Sequence, residues 1–321
     1  ARDGVEALEK IEQLNPDLLT LDVQMPDMDG IQVLHEMKRR RMRAKAIMVS
    51  NFTSEGAQVT TDALMEGAFD FILKPSSSDC TANRQQLSDA LIDRISAFRQ
   101  SAECGSSKRR ASTRRTVGAD EVVERSPTPS AACQAVVLGT STGGPQALKT
   151  VLPRLPASLP VPVFVVQHMP AQYTKSLAGR LNEICELPVL EAEDQAEATP
   201  GHVFISPGGK QTKLNRAGES LTIRVSNDPP ENGVRPSADY LLRSTAEVLN
   251  GRALAVIMTG MGRDGLAGCR LLKEAGGFVF AQCQDDCIVY GMPKAIIEEG
   301  LADRTLPLGK IAPAIVRHIK R

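Results

Sequence analysis

The chain has 321 residues, which is long enough for two domains that each bury a core of their own. Its 38 basic residues balance 38 acidic ones, so no excess of charge indicates binding to nucleic acid or to an anionic membrane. No apolar run approaches the length of a membrane span, no signal-peptide pattern is present, and the seven cysteines form no C-x-x-C pair. We therefore expect a cytoplasmic protein with reduced thiols and no stable membrane insertion.

Strands and helices alternate over the first hundred residues. Helical spacing of apolar residues predicts helices at residues 5–14, 31–40 and 60–66. Short apolar runs predict strands at residues 18–21, 46–49 and 69–73. An alternation of this kind is typical of a parallel sheet in an α/β domain.

Each of these strands ends at a polar residue, Asp22, Ser50 or Lys74. The carboxyl edge of an open parallel sheet is where ligands bind, so these three side chains could form a phosphoacceptor site. Asp22 would attack a phosphoryl donor, and Ser50 and Lys74 would contact the phosphoryl oxygens. The structural alternative is that Asp22 caps the following turn and Lys74 is a solvated loop charge.

The segment Leu21-Asp22-Val23-Gln24-Met25-Pro26-Asp27-Met28-Asp29-Gly30, together with Ser50 and Leu73-Lys74-Pro75, resembles the receiver domain of bacterial response regulators. The resemblance implies a flavodoxin-like fold and phosphorylation of Asp22 by a histidine kinase with Mg²⁺. The acidic pair that helps receivers to bind the metal has no counterpart in this sequence. We therefore expect a receiver that is incomplete at its N-terminus, with Asp22 as the only assigned contact to Mg²⁺ and with impaired phosphorylation.

The character of the chain changes after a predicted helix at residues 84–98. Residues 100–133 are small, polar and basic, and contain the run Ser126-Pro127-Thr128-Pro129-Ser130. Too little apolar area is available there to offset the entropy of ordering. We predict a receiver domain at residues 1–99, a flexible linker at 100–133 and a second α/β domain at 134–321. The basic cluster in the linker could bind nucleic acid or anionic lipid, but solvation of a linker is the commoner reason for such charges.

A strand-turn-helix pattern opens the second domain. The apolar run Ala135-Val136-Val137-Leu138 stops at Gly139-Thr140-Ser141-Thr142-Gly143, which fits the G-x-S-x-G pattern of a nucleophile elbow. Glycines permit the sharp turn that exposes the serine. A phosphate-cradling turn is the alternative, whereas the dinucleotide-binding fingerprint fits worse because Ser141 stands in place of its second glycine.

Strand and helix patterns continue to the end of the chain and predict a doubly wound, mainly parallel sheet. Further strands are predicted at residues 161–166, 202–206, 221–225, 253–258 and 278–282. Helices are predicted at residues 178–185, 238–249 and 266–275.

The polarity of the strands selects one of the four histidines as the base for Ser141. His35 lies in the first domain, and His318 lies on the terminal basic helix. His202 precedes its strand and would lie at the amino edge of the sheet. His168 follows its strand and shares the carboxyl edge with Ser141, although it could also be a loop histidine bonded to the backbone.

Asp264 is the candidate for the carboxylate that would orient this histidine. It follows a predicted strand in a glycine-rich loop, where backbone N–H groups can approach a substrate. It could instead cap the helix that begins near Leu266. Asp285 and Asp286 also follow a strand and are weaker candidates for the same role.

The second domain resembles the catalytic domain of the chemotaxis protein-glutamate methylesterase family (CheB). The resemblance covers about 190 residues and rests on motifs at Gly139–Pro145, Gln167-His168-Met169-Pro170, Pro200-Gly201-His202, Pro207-Gly208, Arg235-Pro236-Ser237, Thr259–Gly265 and Gly291-Met292-Pro293. A receiver domain followed by this domain is the architecture of that family.

The resemblance assigns roles to individual residues. It implies that Ser141 is the nucleophile, His168 the general base and acid, and Asp264 the orienting carboxylate. It also implies that the backbone N–H of Met261 is an oxyanion donor and that Thr142 bonds near His168. Arg263 stands where the family often has Asn, which affects local electrostatics. No cofactor is implied for the hydrolysis itself.

The expected function is demethylation of glutamate methyl esters, and deamidation of glutamines, on methyl-accepting chemoreceptors during chemotactic adaptation. The expected partners are those receptors as substrates and a chemotaxis histidine kinase as phosphodonor, with no nucleic acid. One alternative is a response regulator with a non-catalytic output such as DNA binding, supported only by the basic linker. The other is a dinucleotide-binding oxidoreductase, suggested only by the glycine-rich turn.

Overall fold

The computed structural model describes residues 1–51, 53–111, 133–218 and 220–320. The chain forms two compact units, Ala1–Gln100 and Ser101–Arg321.

The first unit contains a three-stranded parallel sheet with helices between its strands, as the sequence predicted. The strands lie in the order β1-β2-β3. Their bounds are Leu18–Asp22 (β1), Lys45–Ser50 (β2) and Asp70–Leu73 (β3). The helices are Gly4–Leu14 (α1), Gly30–Arg39 (α2), Ser54–Glu66 (α3) and Cys80–Ala111 (α4).

The start of α2 fixes the loop that follows Asp22. Asp29 and Gln32 form a capping box, in which each side chain accepts a hydrogen bond from the backbone N–H of the other residue, at 2.8 and 3.0 Å. A Cβ on Gly30 would lie 2.3 Å from the carbonyl oxygen of Asp22. The helix therefore begins directly against the end of β1, which only glycine permits at that position.

Helix α4 extends further than the sequence pattern indicated. We predicted a helix at residues 84–98 and a linker from residue 100, but α4 runs from Cys80 to Ala111. Residues 112–132, which include the Ser126–Ser130 run, lie outside the described residues. The linker and the exact domain boundaries are therefore still predictions.

The second unit is built on a seven-stranded sheet in which all paired neighbours are parallel, with the order β12-β11-β10-β4-β5-β7-β6. The bounds of its strands are Ala135–Thr140 (β4), Val163–Gln167 (β5), Val189–Glu191 (β6), Val203–Ile205 (β7), Ala253–Ile257 (β10), Phe278–Gln282 (β11) and Arg304–Leu306 (β12). The helices are Gly144–Val151 (α5), Tyr173–Asn182 (α6), Ala238–Leu249 (α7), Leu266–Glu274 (α8), Met292–Glu298 (α9) and Leu308–Ile319 (α10).

The central strands of this sheet form the core of the second unit. Every residue of β4, β5 and β10 is buried, as expected of parallel strands that helices cover on both faces. These strands are nearly continuous apolar runs rich in Val, Ile, Leu and Ala, which is why the sequence showed no polar alternation there. They provide a rigid support for the loops at their carboxyl ends.

One predicted strand lies outside the main sheet. The run at residues 221–225 was predicted to belong to the doubly wound sheet, and this prediction was wrong. It lies instead in β9 (Ser220–Ser226), which pairs antiparallel with β8 (Gln211–Ala217) in a separate two-stranded sheet. The physical reason is the tight connection at Gly218, whose φ of 63° favours a hairpin over a crossover.

Among the described residues, no helix is long and apolar enough to cross a bilayer. The six cysteines whose side chains the structure describes are all free thiols.

Candidate active site

Ser141 stands on the turn between β4 and α5, as the elbow pattern predicted. Two glycines follow, and at each of them a side chain would clash with a neighbouring residue. Gly143 has a φ of 80°, and a Cβ there would lie 2.7 Å from the Cβ of Ile288. A Cβ on Gly144 would lie 1.8 Å from the side-chain oxygen of Gln167. The turn can therefore pass between its neighbours only without side chains at these two positions.

The strand register brings His168 next to Ser141. Thr140 at the end of β4 pairs with Gln167 at the end of β5, so Ser141 and His168 are the next residues on neighbouring strands. The His168 backbone N–H donates to the Thr140 carbonyl at 3.2 Å. Within the described part of the chain, the Ser141 hydroxyl makes no hydrogen bond to His168, a contact that often tightens only with substrate bound.

His168 contacts Asp264 directly. The ring nitrogen Nε2 lies 2.7 Å from Asp264 Oδ2, and both side chains are largely buried, with 12% and 3% of their surfaces exposed. Because Nε2 is occupied by the carboxylate, Nδ1 is the ring nitrogen left to accept a proton from a serine. The pair matches the base and orienting acid of a serine hydrolase, with the two ring nitrogens exchanged relative to the chymotrypsin arrangement.

The carboxylate of Asp264 is saturated with hydrogen bonds at the beginning of α7. The positive end of the helix dipole adds to their effect on the negative charge. Five groups surround it: His168 Nε2 at 2.7 Å, Ser237 Oγ at 2.7 Å, Ala238 N at 2.6 Å, Asp239 N at 3.1 Å and Asn232 Nδ2 at 3.1 Å.

These contacts keep Asp264 ionised in spite of its burial. Burial is the largest single influence and by itself raises the pKa of a carboxyl group, because a charge is poorly solvated in the interior. The hydrogen bonds from His168, Ser237 and Ala238, with the charge of His168, act in the opposite direction. Together they lower the pKa of Asp264 from 3.8 to about 2.

A second buried carboxylate, Asp239, lies behind the first. One side-chain N–H₂ group of Asn232 bridges the two acids, at 2.8 Å from Asp239 Oδ2 and 3.1 Å from Asp264 Oδ1. Asp239 also accepts a hydrogen bond from the Gly268 N–H at 2.7 Å. Burial raises the pKa of Asp239, and the neighbouring charge of Asp264 raises it further. The hydrogen bonds from Asn232 therefore offset part of the repulsion between the two carboxyl groups.

The loop after β10 passes close to the predicted nucleophile. A Cβ on Gly260 would lie 2.7 Å from the Cβ of Ser141 and 2.4 Å from the sulfur of Met292. Met261 follows, with 37% of its surface exposed. Its backbone N–H donates to no other group in the described ranges, as an oxyanion donor requires before substrate binds.

Thr259 links three loops of this edge. Its hydroxyl lies 3.0 Å from the Thr142 carbonyl and accepts from the Val289 N–H at 3.0 Å, and its carbonyl accepts from the Ser141 N–H at 3.0 Å. The structure thus places the Thr142 main chain beside Thr259. The contact of Thr142 with His168 that the resemblance implied stays a prediction.

In the first unit, Asp22 and Lys74 meet at the carboxyl edge of the sheet. Lys74 Nζ lies 2.5 Å from Asp22 Oδ2. The hydroxyl of Ser50, the last residue of β2, donates within its own loop, with the carbonyls of Asn51 and Gly56 both at 3.3 Å. The three predicted residues thus share one edge, and two of them are in direct contact.

The donor set beside Asp22 does not complete a magnesium site. In the described ranges no three His, Cys, Asp or Glu side chains gather in a way that could hold a metal ion. One carboxylate engaged by a lysine supplies a single protein ligand, whereas Mg²⁺ takes one or two carboxylates together with phosphate and water oxygens. Asp22, which Lys74 already engages, is thus the one carboxylate assigned to a metal site among the described residues, and they contain no cluster of three ligands around it.

Comparison with known proteins identifies both parts of the chain. The CheB methylesterase family profile matches residues 136–315, and the response regulator receiver domain profile matches residues 1–84. The protein-glutamate methylesterase/protein-glutamine glutaminase of Desulfotalea psychrophila is 43% identical over 329 aligned positions, covering 100% of this chain and 90% of the relative. The protein of the same name from Bacillus subtilis is 40% identical with the same coverage.

The chain belongs to the CheB methylesterase family. The crystal structure of the Thermotoga maritima CheB methylesterase catalytic domain superimposes with a TM-score of 0.57 at 43% identity, covering 58% of this chain and 99% of that domain. The output domain of this CheB chain is therefore a methylesterase domain. This overturns both alternatives, a DNA-binding output and a dinucleotide-binding oxidoreductase.

The sequence left two alternatives to Asp264 as the orienting acid of this CheB domain: another carboxylate in that role, or Asp264 as a helix cap. Asp286 accepts from the Leu308 N–H and from the thiol of Cys283, and so serves the loop after β11. The helix α8 is capped by Gly265 without a side chain, so Asp264 does not cap it as the alternative proposed. Its carboxylate faces the start of α7 instead.

Sequence reasoning missed three polar residues of the CheB site. Gln167, Asn232 and Asp239 each contact a predicted site residue, and none of the three was predicted to have a role of its own. The available signal was a polar residue at the end of an otherwise apolar strand, which applied to Gln167. No local pattern indicated Asn232, because it lies in a loop.

Proposed function

We propose that this chain is a serine hydrolase that demethylates glutamate methyl esters, and deamidates glutamines, in methyl-accepting chemoreceptors. Ser141 is the nucleophile, His168 the general base and acid, and Asp264 the orienting carboxylate. The observation that carries the proposal is the buried contact between His168 and Asp264, whose carboxylate five neighbouring groups keep ionised. His168 follows β5, the strand that pairs with β4, and Ser141 follows β4.

Acylation begins when His168 Nδ1 takes the proton of the Ser141 hydroxyl as Oγ bonds to the ester carbonyl carbon. The carbonyl oxygen becomes an oxyanion, for which the Met261 N–H is the proposed donor. Asp264 stabilises the imidazolium that forms. The imidazolium then donates its proton to the methoxy oxygen, methanol leaves, and an acyl-enzyme is formed.

In deacylation, water takes the place of Ser141 as the nucleophile, and Ser141 Oγ becomes the leaving group. His168 takes a proton from water as the water oxygen bonds to the acyl carbon, and it returns that proton to Ser141 Oγ as the ester bond to the enzyme breaks. The product is a glutamate carboxylate. A glutamine side chain follows the same course with ammonia as the leaving group, so one site performs both reactions.

The first unit is proposed to regulate this reaction through Asp22. A chemotaxis histidine kinase is the proposed phosphodonor, and Asp22 carries the phosphoryl group. The ammonium of Lys74, already at Asp22, is placed to pair with a phosphoryl oxygen, since a phosphoryl group adds a charge of about −1.5 to −2. Ser50 is the proposed hydroxyl of the same switch.

The experiment that tests the hydrolase is methanol release from chemoreceptor membranes carrying labelled methyl esters, with the chain compared with Ser141→Ala. We expect release to fall to the background, because removal of the nucleophile leaves no acyl-enzyme route. Ser206→Ala is the matched control, since Ser206 is a buried serine that directly follows β7 at the same sheet edge. Release that persisted in Ser141→Ala would place the nucleophile elsewhere.

A further inference from the structure

A single side chain joins the main chains of the two proposed reacting residues. Gln167 is the last residue of β5 and is 2% exposed. Its side-chain Nε2 donates to the carbonyl of Ser141 at 2.9 Å and to the carbonyl of His168 at 3.3 Å. One amide group therefore connects the turn of the nucleophile with the start of the loop of the base.

The orientation of this amide is fixed from its other end. Gln167 Oε1 accepts a hydrogen bond from the hydroxyl of Thr140 at 2.8 Å. The reverse orientation would place Oε1 against the carbonyl oxygens of Ser141 and His168, three acceptors without a donor among them. The N–H₂ group therefore faces the two carbonyls.

The beginning of α5 closes over the same amide. The Gly144 N–H donates to the Ser141 carbonyl at 2.8 Å, so this carbonyl has two donors. A side chain on Gly144 has no room, because its Cβ would lie 1.8 Å from Gln167 Oε1. The peptide of Ser141 is thus held from α5 and from the end of β5 at once.

We propose that Gln167 is a positioning residue, which sets the placement of Ser141 relative to His168 for proton transfer. The inference rests on the proposed function of those two residues. Gln167 acts through their main chains, because its hydrogen bonds go to their carbonyl groups. Proton transfer and attack tolerate little displacement, and a shift of about 1 Å can cost about 100-fold in rate.

Two substitutions in the full-length chain test the proposal. Gln167→Met keeps the length of the side chain and removes the donor, and we expect kcat for methanol release to fall by about 100-fold with little change in KM. Gln167→Glu can donate only when its carboxyl group is protonated, and burial favours the protonated form. We therefore expect its activity, as a fraction of the parent activity at the same pH, to rise as the pH falls from about 8 to about 6, whereas the fraction for Gln167→Met stays flat.

Ile315→Ala separates positioning from simple loss of stability. Ile315 is fully buried in α10 and takes part in none of the hydrogen bonds of the site, and its truncation lowers the melting temperature by leaving a cavity in the core. We expect its kcat to equal that of the parent. A kcat of Gln167→Met that matched the parent, or a pH-independent fraction for Gln167→Glu, would overturn the proposal. If Ser141→Ala also released methanol, the proposed function itself would be wrong.

Discussion

The charge state of Asp264 is the residue-scale property on which the proposed chemistry depends. A carboxylate with a pKa of about 2 stays ionised near neutral pH. It can therefore stabilise the imidazolium without taking up the proton itself. The hydrogen bonds from α7 that lower this pKa also prevent the carboxylate from rotating away from the imidazole.

Asp264→Asn should reduce both catalysis and acid-dependent stability. We expect kcat to fall by about 10⁴-fold, since an amide cannot stabilise the cation and favours the wrong tautomer. The folded-state pKa is depressed, so the carboxylate contributes about 2 kcal/mol to the free energy of unfolding above pH 4, and this contribution is lost as the pH falls from about 4 to about 2. Urea unfolding of both chains across this window measures the difference, which should shrink with falling pH. Parallel curves would contradict the assigned pKa.

The positions of single residues could be predicted where the direction of the strands alone determined the sheet edge at which they lie. Ser141, His168 and Asp264 each follow a strand, and parallel strands bring such residues to one edge. The supports of these residues were not predictable. Gln167 and Ser141 are 26 positions apart, and Asn232 and Asp264 are 32 apart, so their contacts depend on the exact register and loop paths.

At the scale of elements, the turn between β4 and α5 shows how packing selects glycine. Gly144→Ala should be strongly destabilising and inactivating, because the added Cβ would overlap the amide of Gln167. Gly179→Ala is the matched control, since Gly179 lies inside α6 and a Cβ added there would meet nothing within 4 Å. We expect the control to keep full activity and to gain up to about 1 kcal/mol in helix stability.

Thermal melting measures the stability of both variants, and methanol release measures their activity. Equal melting temperatures for Gly144→Ala and Gly179→Ala would show that the turn can move away from Gln167, which would contradict the steric argument.

The elements themselves were predictable in proportion to their length and burial. The runs that became β4, β10 and β11 are five or six residues long and apolar, and each was predicted. Strands β6 and β12 have three residues each and were not predicted, because they are not continuous apolar runs as the equally short β7 is. Strand β9 alternates polar and apolar residues as a partly exposed hairpin strand does, which its assignment to the doubly wound sheet overlooked.

At the scale of the whole molecule, the chain combines a receiver domain with a methylesterase domain. If phosphorylation of Asp22 regulates the esterase, a small-molecule phosphodonor such as acetyl phosphate should change methanol release. Because the residues beside Asp22 do not complete a magnesium site, we expect this change to be small and to need a large excess of Mg²⁺. Asp22→Asn should abolish this response, because it removes the acceptor carboxylate beside Lys74.

Asp17→Asn is the matched control for this prediction. Asp17 is an exposed carboxylate that precedes β1, whereas Asp22 ends the same strand. We expect Asp17→Asn to respond to the phosphodonor as the parent does. A response that survived in Asp22→Asn would place the phosphoacceptor at another residue.

The hairpin β8–β9 supports α7 from outside the main sheet. The Ser237 N–H donates to Gln211 Oε1 at 3.0 Å, and the Leu214 N–H donates to Ser244 Oγ at 3.0 Å. This peripheral ribbon therefore helps to hold the start of α7, where Ser237 and Ala238 hydrogen-bond to Asp264. Insertions or replacements in the hairpin would therefore change the support of α7, and with it the surroundings of Asp264, while strands β4, β5 and β10 keep their sequences.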